Sequence, residues 1–475
     1  MTSPVNTRPG LAAVAVLSLA GTATLVWGSQ AGGSEAHALL AVLLASALGG
    51  LALLWTALDA RLAHAPLWAV LLLAVMLRLL AAAGWPLLED DHHRYLWDGL
   101  RTVTTGDPYS LPPSAFFGDS QLPQAWQDTL SGINNPDVPT IYGPVLQGLF
   151  ALSHLMAPGR LGALQCLLVL VDMALLLLLA HQGVPKRWLL AYAVHPLVLK
   201  EAMASAHPDG LLALFLMLAV LMWQRRWAWG VGLLLGLAVA TKVAALVTVP
   251  LFLVARRPAS HPAGGEGVGW AARVLLGLLG TVGAAYLPLG GAGGSDLQGL
   301  STFAQQWRFN PLLWRLLELV LPAPWARPAG ALLVLLLVLG LTWLWQRRRR
   351  THQATLADAP PVDVALVLLL LFSPVVNAWY WLWVLALSLA LGRTWVAAVA
   401  VVAPLAYINS TVLQQAGVAL PVAGEAGFVV PWPLAWAQVL VLLLAAWRDG
   451  TPLTRRDALV QAPVGPEPTG SRTPH

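Results

Sequence analysis

Long uninterrupted apolar runs constrain this chain more than any other feature. Leu161 to Ala180, Leu211 to Trp223 and Ala331 to Trp345 are almost wholly apolar, and each approaches the length needed to cross about 30 Å of hydrocarbon. Charged residues are 10% of the 475 and hydrophobic residues 58%, whereas a water-soluble domain carries roughly 25% charge. Too few polar side chains remain to coat a water-exposed fold, so we expect an all-α, polytopic transmembrane helical bundle. The net charge of +5 does not indicate a nucleic-acid partner, because the basic residues sit in short clusters between apolar runs. A single cysteine, Cys166, lies inside an apolar run, which excludes an intramolecular disulfide and a Cys-based metal site.

Arg8, the apolar stretch Leu11 to Trp27 and the small-residue site Ala36-His37-Ala38 resemble a secretory signal. A cut there would fall inside the next apolar run, so an uncleaved first span is expected. Arginine and lysine mark cytoplasmic loops. With Arg8 and Arg61 inside, spans at 11–28, 37–58 and 64–84 leave residues 85–140 outside. Lys186-Arg187, Arg225-Arg226, Arg256-Arg257, Arg347 to Arg350, Arg393 and Arg448 all face the cytoplasm only if Tyr142 to Ala157 and Pro311 to Leu321 lie at the outer interface or re-enter. Arg315 and Glu318 in the second of these stand one helical turn apart. Further spans follow near 162–181, 188–203, 208–224, 227–241, 243–255, 271–288, 329–345, 363–375, 379–392, 394–408 and 433–447. The total is about fourteen by length and hydropathy, with both termini cytoplasmic. The loop 256–270 and the Pro-rich tail 448–475 read as flexible cytoplasmic segments, and no internal repeat of the kind that builds many transporters is visible.

Polar residues that hydropathy does not require are the informative ones in a membrane protein, and by this parity they collect on the outer side. The densest group is Glu89-Asp90-Asp91-His92-His93-Arg94-Tyr95-Leu96-Trp97-Asp98-Gly99. On a helix, Asp91, Arg94, Tyr95 and Asp98 share one face, which sets Arg94 between two carboxylates. Three adjacent acids repel, so at least one is expected to have a raised pKa, as suits a general base, or to need a cation. The same loop continues through Ile133-Asn134-Asn135-Pro136-Asp137-Val138-Pro139-Thr140-Ile141-Tyr142-Gly143-Pro144, whose prolines impose a non-helical path. An acidic, solvated loop that merely ends a span is the plainer reading of the cluster alone, but a long external loop rich in Trp, Tyr and Pro favours function. His195-Pro196, Lys200-Glu201 and His207-Pro208-Asp209 then interrupt a Leu, Ala and Val background. Lys242 stands near the outer end of its span, where a snorkelling role is the plain alternative. Trp307-Arg308-Phe309-Asn310-Pro311 and Ser373-Pro374 through Trp379-Tyr380 fall in external turns, although Trp379 and Tyr380 also suit an interfacial belt. Arg78 reads as structural, and Asp172, in mid-span, as a partner for a neighbouring helix or a chemical group.

No Gly-rich phosphate loop, no cytoplasmic Asp-x-Asp and no soluble domain for a nucleotide is present in the sequence. An enzyme of this kind would receive its activated substrate from the bilayer, as a lipid-carried phosphate ester.

In this order and spacing the motifs resemble the GT-C superfamily of polytopic glycosyltransferases that use polyprenyl-phosphate-linked sugars, in particular bacterial mannosyltransferase-like members with an Asp-x-x-Arg-Tyr-x-Trp-Asp-Gly first loop. Here that loop is Asp91 to Gly99, followed by Gly106-Asp107-Pro108-Tyr109, Pro139 to Pro144, His195-Pro196, Glu201 with His207 and Asp209, Thr241-Lys242, Trp307 to Asn310, and Ser373-Pro374 with Trp379-Tyr380. Two departures stand out: two spans precede the acidic loop instead of one, and a Tyr-Pro-Pro turn is replaced by Tyr142-Gly143-Pro144. The resemblance divides the chain into two N-terminal spans (1–63), a catalytic core (64–392) with external loops 85–140 and 289–328, C-terminal spans (393–447) and the tail.

The resemblance implies inverting transfer of a sugar, mannose above others, from a polyprenyl-phosphate carrier to a hydroxyl of a glycan or glycolipid, on the outer face of the inner (plasma) membrane. It makes Asp91 the base, with Asp90 the second candidate. It makes Arg94, Tyr95, Asp98, Tyr142, Glu201, His207, Asp209, Lys242, Arg308 and Tyr380 substrate-binding. Cations aimed at the leaving phosphate, among them Arg94, Lys242 and Arg308, accord with the charge that develops there. No cofactor is required; a divalent cation near Glu89, Asp90 and Asp91 is allowed but not demanded. The rival readings are a transporter or flippase for an isoprenoid-linked or anionic solute, and a membrane scaffold without activity.

Overall fold

The computed structural model describes residues 6–32, 34–254, 266–289, 295–351, 359–415 and 430–449. The tail beyond 449, Arg256-Arg257 and most of the 256–270 loop lie outside the described residues. Of the described residues 77% are helical, and they carry no strand, only one isolated parallel bridge between Phe309 and Val375.

Two long helices open the chain, α1 (Arg8–Gln30) and α2 (Glu35–Leu58). They form an antiparallel pair in which Gly21 and Gly28 lie against Ala45 and Ala41, the close approach that small residues permit between membrane helices. Ala36-His37-Ala38 therefore falls in the first turn of α2. Next come α3 (Leu67–Ala82), α4 (Asp91–Thr105), α5 (Gln124–Ser131) and α6 (Pro144–Met156). Pro144 at the first position of α6 supplies a preset φ where no amide is needed. At 13 residues, α6 is about 20 Å long at 1.5 Å per residue; it packs on α4, α7 (Leu161–His181) and α10 (Ala228–Thr241).

The expected span 188–203 is built in two pieces. Helix α8 (Lys186–Ala193) stops ahead of Pro196, and a π-helical turn, Val198–Ala204, follows. Pro196 lacks the amide that would continue the ladder, and π turns recur where a side chain must be re-aimed for function. Helix α9 (Gly210–Gln224) and α10 return through the bundle, and α11 (Val249–Phe252) is a short turn beyond a 3₁₀ segment, Val243–Thr248. Helix α12 (Glu266–Tyr286) crosses α10 through Gly232, Gly236 and Gly277.

The second half comprises α13 (Leu297–Gln306), α14 (Trp314–Val320), α15 (Ala323–Thr351), α16 (Val362–Leu371), α17 (Leu382–Ala390), α18 (Trp395–Val402), α19 (Ser410–Gln415) and α20 (Trp432–Arg448). Short 3₁₀ turns at Ala378–Trp381 and Ala403–Tyr407 precede α17 and follow α18. Five described helices are long and apolar enough to cross a membrane, and nine apolar segments of 10–17 residues accompany them. Glu318 pairs with Arg308 at 2.8 Å across the loop.

Within the core, Arg78 of α3 is fully buried and pairs with Asp172 of α7. Tyr192 of α8 donates to the other Asp172 oxygen at 2.5 Å, and Arg78 donates to Ala193 O at 2.8 Å. This is the partnered, structural use of both residues. The loops after α3 and after α12 meet at one end of the bundle, where Gly299 seats directly on the carbonyls of Pro139 and Thr140.

Candidate functional site

Helix α4 starts where two consecutive acids, Asp90 and Asp91, meet the positive end of its dipole, and ends at Gly106, whose φ of +67° closes the last turn. Its inner face carries Arg94, Tyr95, Trp97, Asp98 and Gly99. Gly99 brings α4 onto the backbone of α6, since a Cβ there would lie 2.5 Å from Phe150 O. Trp97 packs with Leu130 and Ile133, which anchors the long loop to the helix.

Asp91 is the centre of the arrangement. One carboxylate oxygen accepts from Tyr142 at 3.2 Å and Tyr95 at 3.4 Å, and the other from Asn134 at 3.2 Å. His207 Nε2 lies 3.8 Å from Asp91, and His207 Nδ1 lies 3.2 Å from Glu201. Neither contact has hydrogen-bond geometry, so both act as ionic contacts around a wholly buried ring stacked 4.0 Å from Trp379. The Asp91 side chain keeps 19% of its surface accessible.

Electrostatics separates the three acids. Burial raises Glu89 to about 8 against the opposing pull of Lys200 and His207. Burial and the neighbouring Asp91 charge also raise Asp90, although Asn134 donates to it. For Asp91 burial works upward too, but His207, Asn134 and Lys242 together bring its carboxyl down to about 2. Burial alone would lower His207; Asp91, Glu201 and Glu89 instead raise it to about 9. Of the three acids, then, the raised carboxyls are Glu89 and Asp90, while Asp91 stands as an anion facing an imidazolium.

Arg94 stands between Asp91 and Asp98 along α4, but its hydrogen bonds go to the loop. Its guanidinium donates to the carbonyl of Val138 at 2.7 Å and more weakly to that of Asn135, clamping the loop that delivers Asn134. The i, i+4 spacing showed its neighbours on the helix but not a loop returning from more than forty positions away. Asp98 is buried and accepts from Thr140 at 2.5 Å and Gln147 at 3.0 Å, so it too ties the loop and α6 to α4. Asp209 accepts from Lys242 at 2.7 Å and from Trp383 Nε1. Lys242 Nζ also lies 5.1 Å from the Tyr380 ring centroid and 5.5 Å from that of Trp383, and these two rings stack at 4.3 Å. Tyr380 thus belongs to the floor under Lys242. Arg308 is in the Glu318 ion pair, on a segment bridged to Val375.

Behind His207 lies a second set of charges. Lys200 donates to Glu201 at 3.1 Å and to Tyr407 Oη at 2.6 Å, Tyr407 donates to Glu201 at 2.8 Å, and Lys200 lies 3.7 Å from Glu89. Asn134, Trp383 and Tyr407 were not singled out as site residues from sequence. Asn134 carried a signal in its Pro-rich loop; a tyrosine ending an apolar run carries none beyond an interfacial belt. Leu88, Ala206 and Asn135, next to Glu89, His207 and Asn134, all have positive φ (62°, 58° and 46°). Non-glycine residues hold that conformation at a cost of about 1–3 kcal/mol each, and such strain clusters where a site is over-determined. Among the described residues no group of three or more His, Cys, Asp or Glu side chains is placed to hold a metal ion.

The class defined by fold and site is a helical membrane protein whose ionisable and aromatic side chains gather at one end of its apolar helices. Residues 140–374, just under half of the chain, match the family model for glycosyltransferase family 87, whose members are GT-C type membrane glycosyltransferases. The match supports the GT-C resemblance read from the motifs and indicates a glycosyltransferase, which implies a sugar donor, an acceptor and a lipid bilayer. Comparison with curated proteins and with solved structures returns no match. The matched region contains Glu201, His207, Asp209, Lys242 and Arg308 but neither Asp91 nor Tyr380 and Tyr407.

Proposed function

We propose that the protein transfers a hexose, mannose in our reading, from a polyprenyl-phosphate carrier to an acceptor hydroxyl of a glycan or glycolipid on the extracytoplasmic face of the plasma membrane, with inversion and without a cofactor. One observation carries the reading: an ionised, partly accessible Asp91, held by two tyrosine hydroxyls and Asn134, shares one end of the bundle with Lys242.

The acceptor oxygen attacks C1 of the sugar as the C1–O bond to phosphate breaks, and the polyprenyl phosphate leaves with the bonding electrons. Asp91 takes the acceptor's proton. A low pKa does not disqualify it, because an alcohol bonded to C1 is an oxonium, a stronger acid than any carboxylic acid. Lys242 supplies positive charge for the leaving phosphate; its Nζ keeps part of its donor capacity beyond the Asp209 bond. Clustering at one end of the helices also favours an enzyme over a transporter, which would place its charges near the midplane with access from both sides.

The test is transfer of radiolabelled mannose from synthetic polyprenyl-phosphate-mannose to membrane acceptors, comparing wild type with Asp91→Asn and Asp90→Asn at matched expression. We expect Asp91→Asn to lose on the order of 10²-fold or more in rate while folding and donor binding persist. Full transfer by both variants would reject the base assignment. No transfer by wild type from a panel of lipid-phosphate sugars would reject the reaction class.

A further inference from the structure

The buried charges behind His207 have no role in the reaction just described, yet Lys200, Glu201 and Tyr407 are joined pairwise by hydrogen bonds. Glu201 is fully buried and takes one donor on each oxygen, Tyr407 on Oε1 and Lys200 on Oε2. Lys200 is buried as well and rests over the Tyr407 ring, 4.0 Å from its centroid. The Glu201 oxygen that meets Lys200 is also the one that faces His207 Nδ1. Trp379 stacks on the face of the imidazole and opposes its tilting out of plane, and Tyr95 stands edge-on to it. His207 has no accessible surface, so it acts through Asp91 and not on substrate.

We infer that Tyr407 and Glu201 are positioning residues for the transfer reaction: by fixing the Glu201 carboxylate against His207, they hold the imidazole in place beside the Asp91 carboxylate. This rests on the proposed function only for what Asp91 does with its proton; the coupling itself is a property of the fold. Tyr407 comes from the 3₁₀ turn after α18, beyond residue 374 where the family match ends, so the site depends on a segment the match does not include.

The groups that bear on His207 are Asp91 and His92 from α4, Glu89 from the loop before it, Glu201 from the π turn, and Tyr95 edge-on; Lys200 and Tyr407 act on it through Glu201 and Glu89. Tyr407→Phe removes one hydroxyl and leaves the ring under Lys200. Glu201 Oε1 then has no donor, and its carboxylate is free to follow Lys200 away from His207. The imidazole's proton should be lost at lower pH than in wild type, where the raised value is about 9.

Two readouts on the full-length protein in nanodiscs test this. In the first, kcat for mannosyl transfer is followed against pH for wild type, Tyr407→Phe and Glu201→Gln. The expected result is a fall of about tenfold in kcat, the loss of one hydrogen bond to a charged group, with donor KM unchanged and the alkaline limb moved toward neutral pH. In the second, ¹⁵N-histidine NMR follows the His207 imidazole, assigned by its disappearance in His207→Gln, and its titration should move the same way in both variants. A wild-type alkaline limb and a wild-type His207 titration in both variants would overturn the inference, as would a fall in rate with neither moved, which marks a merely structural contact. If Tyr407→Phe fails to fold, Glu201→Gln alone decides by the same criteria. An inactive wild type whose His207 titration still shifts in the variants would count against the proposed function and leave the coupling standing.

Discussion

A carboxylate acting as base is usually pictured with its pKa lifted toward neutrality, and Asp91, the base we propose, is the reverse case. Its ionisation is secured by His207 and Asn134, against the effect of burial, so it is an anion throughout the physiological range. The pH dependence follows from the signs. His207 has a folded pKa raised to about 9, so its stabilising contribution is complete below its ordinary value of about 6.5 and is lost as pH rises through about 9. Asp91 has a folded value lowered to about 2, so its contribution is complete above its ordinary value of about 3.9 and is lost only as pH falls through about 2. Activity is therefore expected to stay level on the acid side and fall above about pH 8–9. Glu89, raised to about 8, titrates in the same window; the limb that survives in Glu89→Gln belongs to His207. In His207→Gln, an acid limb should enter the measurable range near pH 4 as Asp91 loses its counter-charge. A pH–rate series on the three proteins checks both statements.

At the scale of elements, what matters is how α4, the loop 133–143 and α6 are locked together. Arg94 clamps the loop carbonyls, Asp98 gathers Thr140 and Gln147, and Gly143 lies so close to α10 that a Cβ would stand 2.2 Å from Ala240 O. Gly143→Ala must push α6 and the adjoining Tyr142 away from α10. We expect a loss of about 1–3 kcal/mol in stability, the usual penalty of overpacking, seen as a lower thermal midpoint, together with reduced kcat because Tyr142 no longer meets Asp91. The helical face of α4 was legible in the sequence, because Asp91, Arg94, Tyr95 and Asp98 follow the 3.6-residue period. Their partners were not, since a periodicity names the residues that share a face and says nothing of what folds back onto it. The resemblance made Arg94 and Asp98 substrate contacts; in the structure both bind the protein's own loop.

At the scale of the whole molecule, the apolar runs disclosed a helical membrane protein, and the polar residues that hydropathy does not require pointed to the region of the candidate site. Helix breaks were harder to read: the interruption at Pro196 and the π turn carrying Lys200 and Glu201 look, in sequence, like one span with two unwelcome charges. The Arg78–Asp172 pair ties α3 to α7 without touching that region. Arg78→Leu leaves the Asp172 carboxylate buried beside Tyr192 and should cost about 3–5 kcal/mol, whereas replacing both partners by apolar residues should cost much less. Thermal unfolding in detergent of the single and double variants distinguishes these outcomes.

The position of Tyr407 also bears on biogenesis. Residues from α3 to α17 enter the membrane before the turn that carries it is synthesised, so for most of translation Lys200 and Glu201 await a partner made late. With Asp91 as the proposed base, a nascent chain would hold it in place only once the turn after α18 has docked, and premature transfer by half-inserted chains would be prevented by the order of synthesis itself. Co-expressing residues 1–392 with residues 393–475 as separate polypeptides should then restore activity that the longer fragment lacks alone.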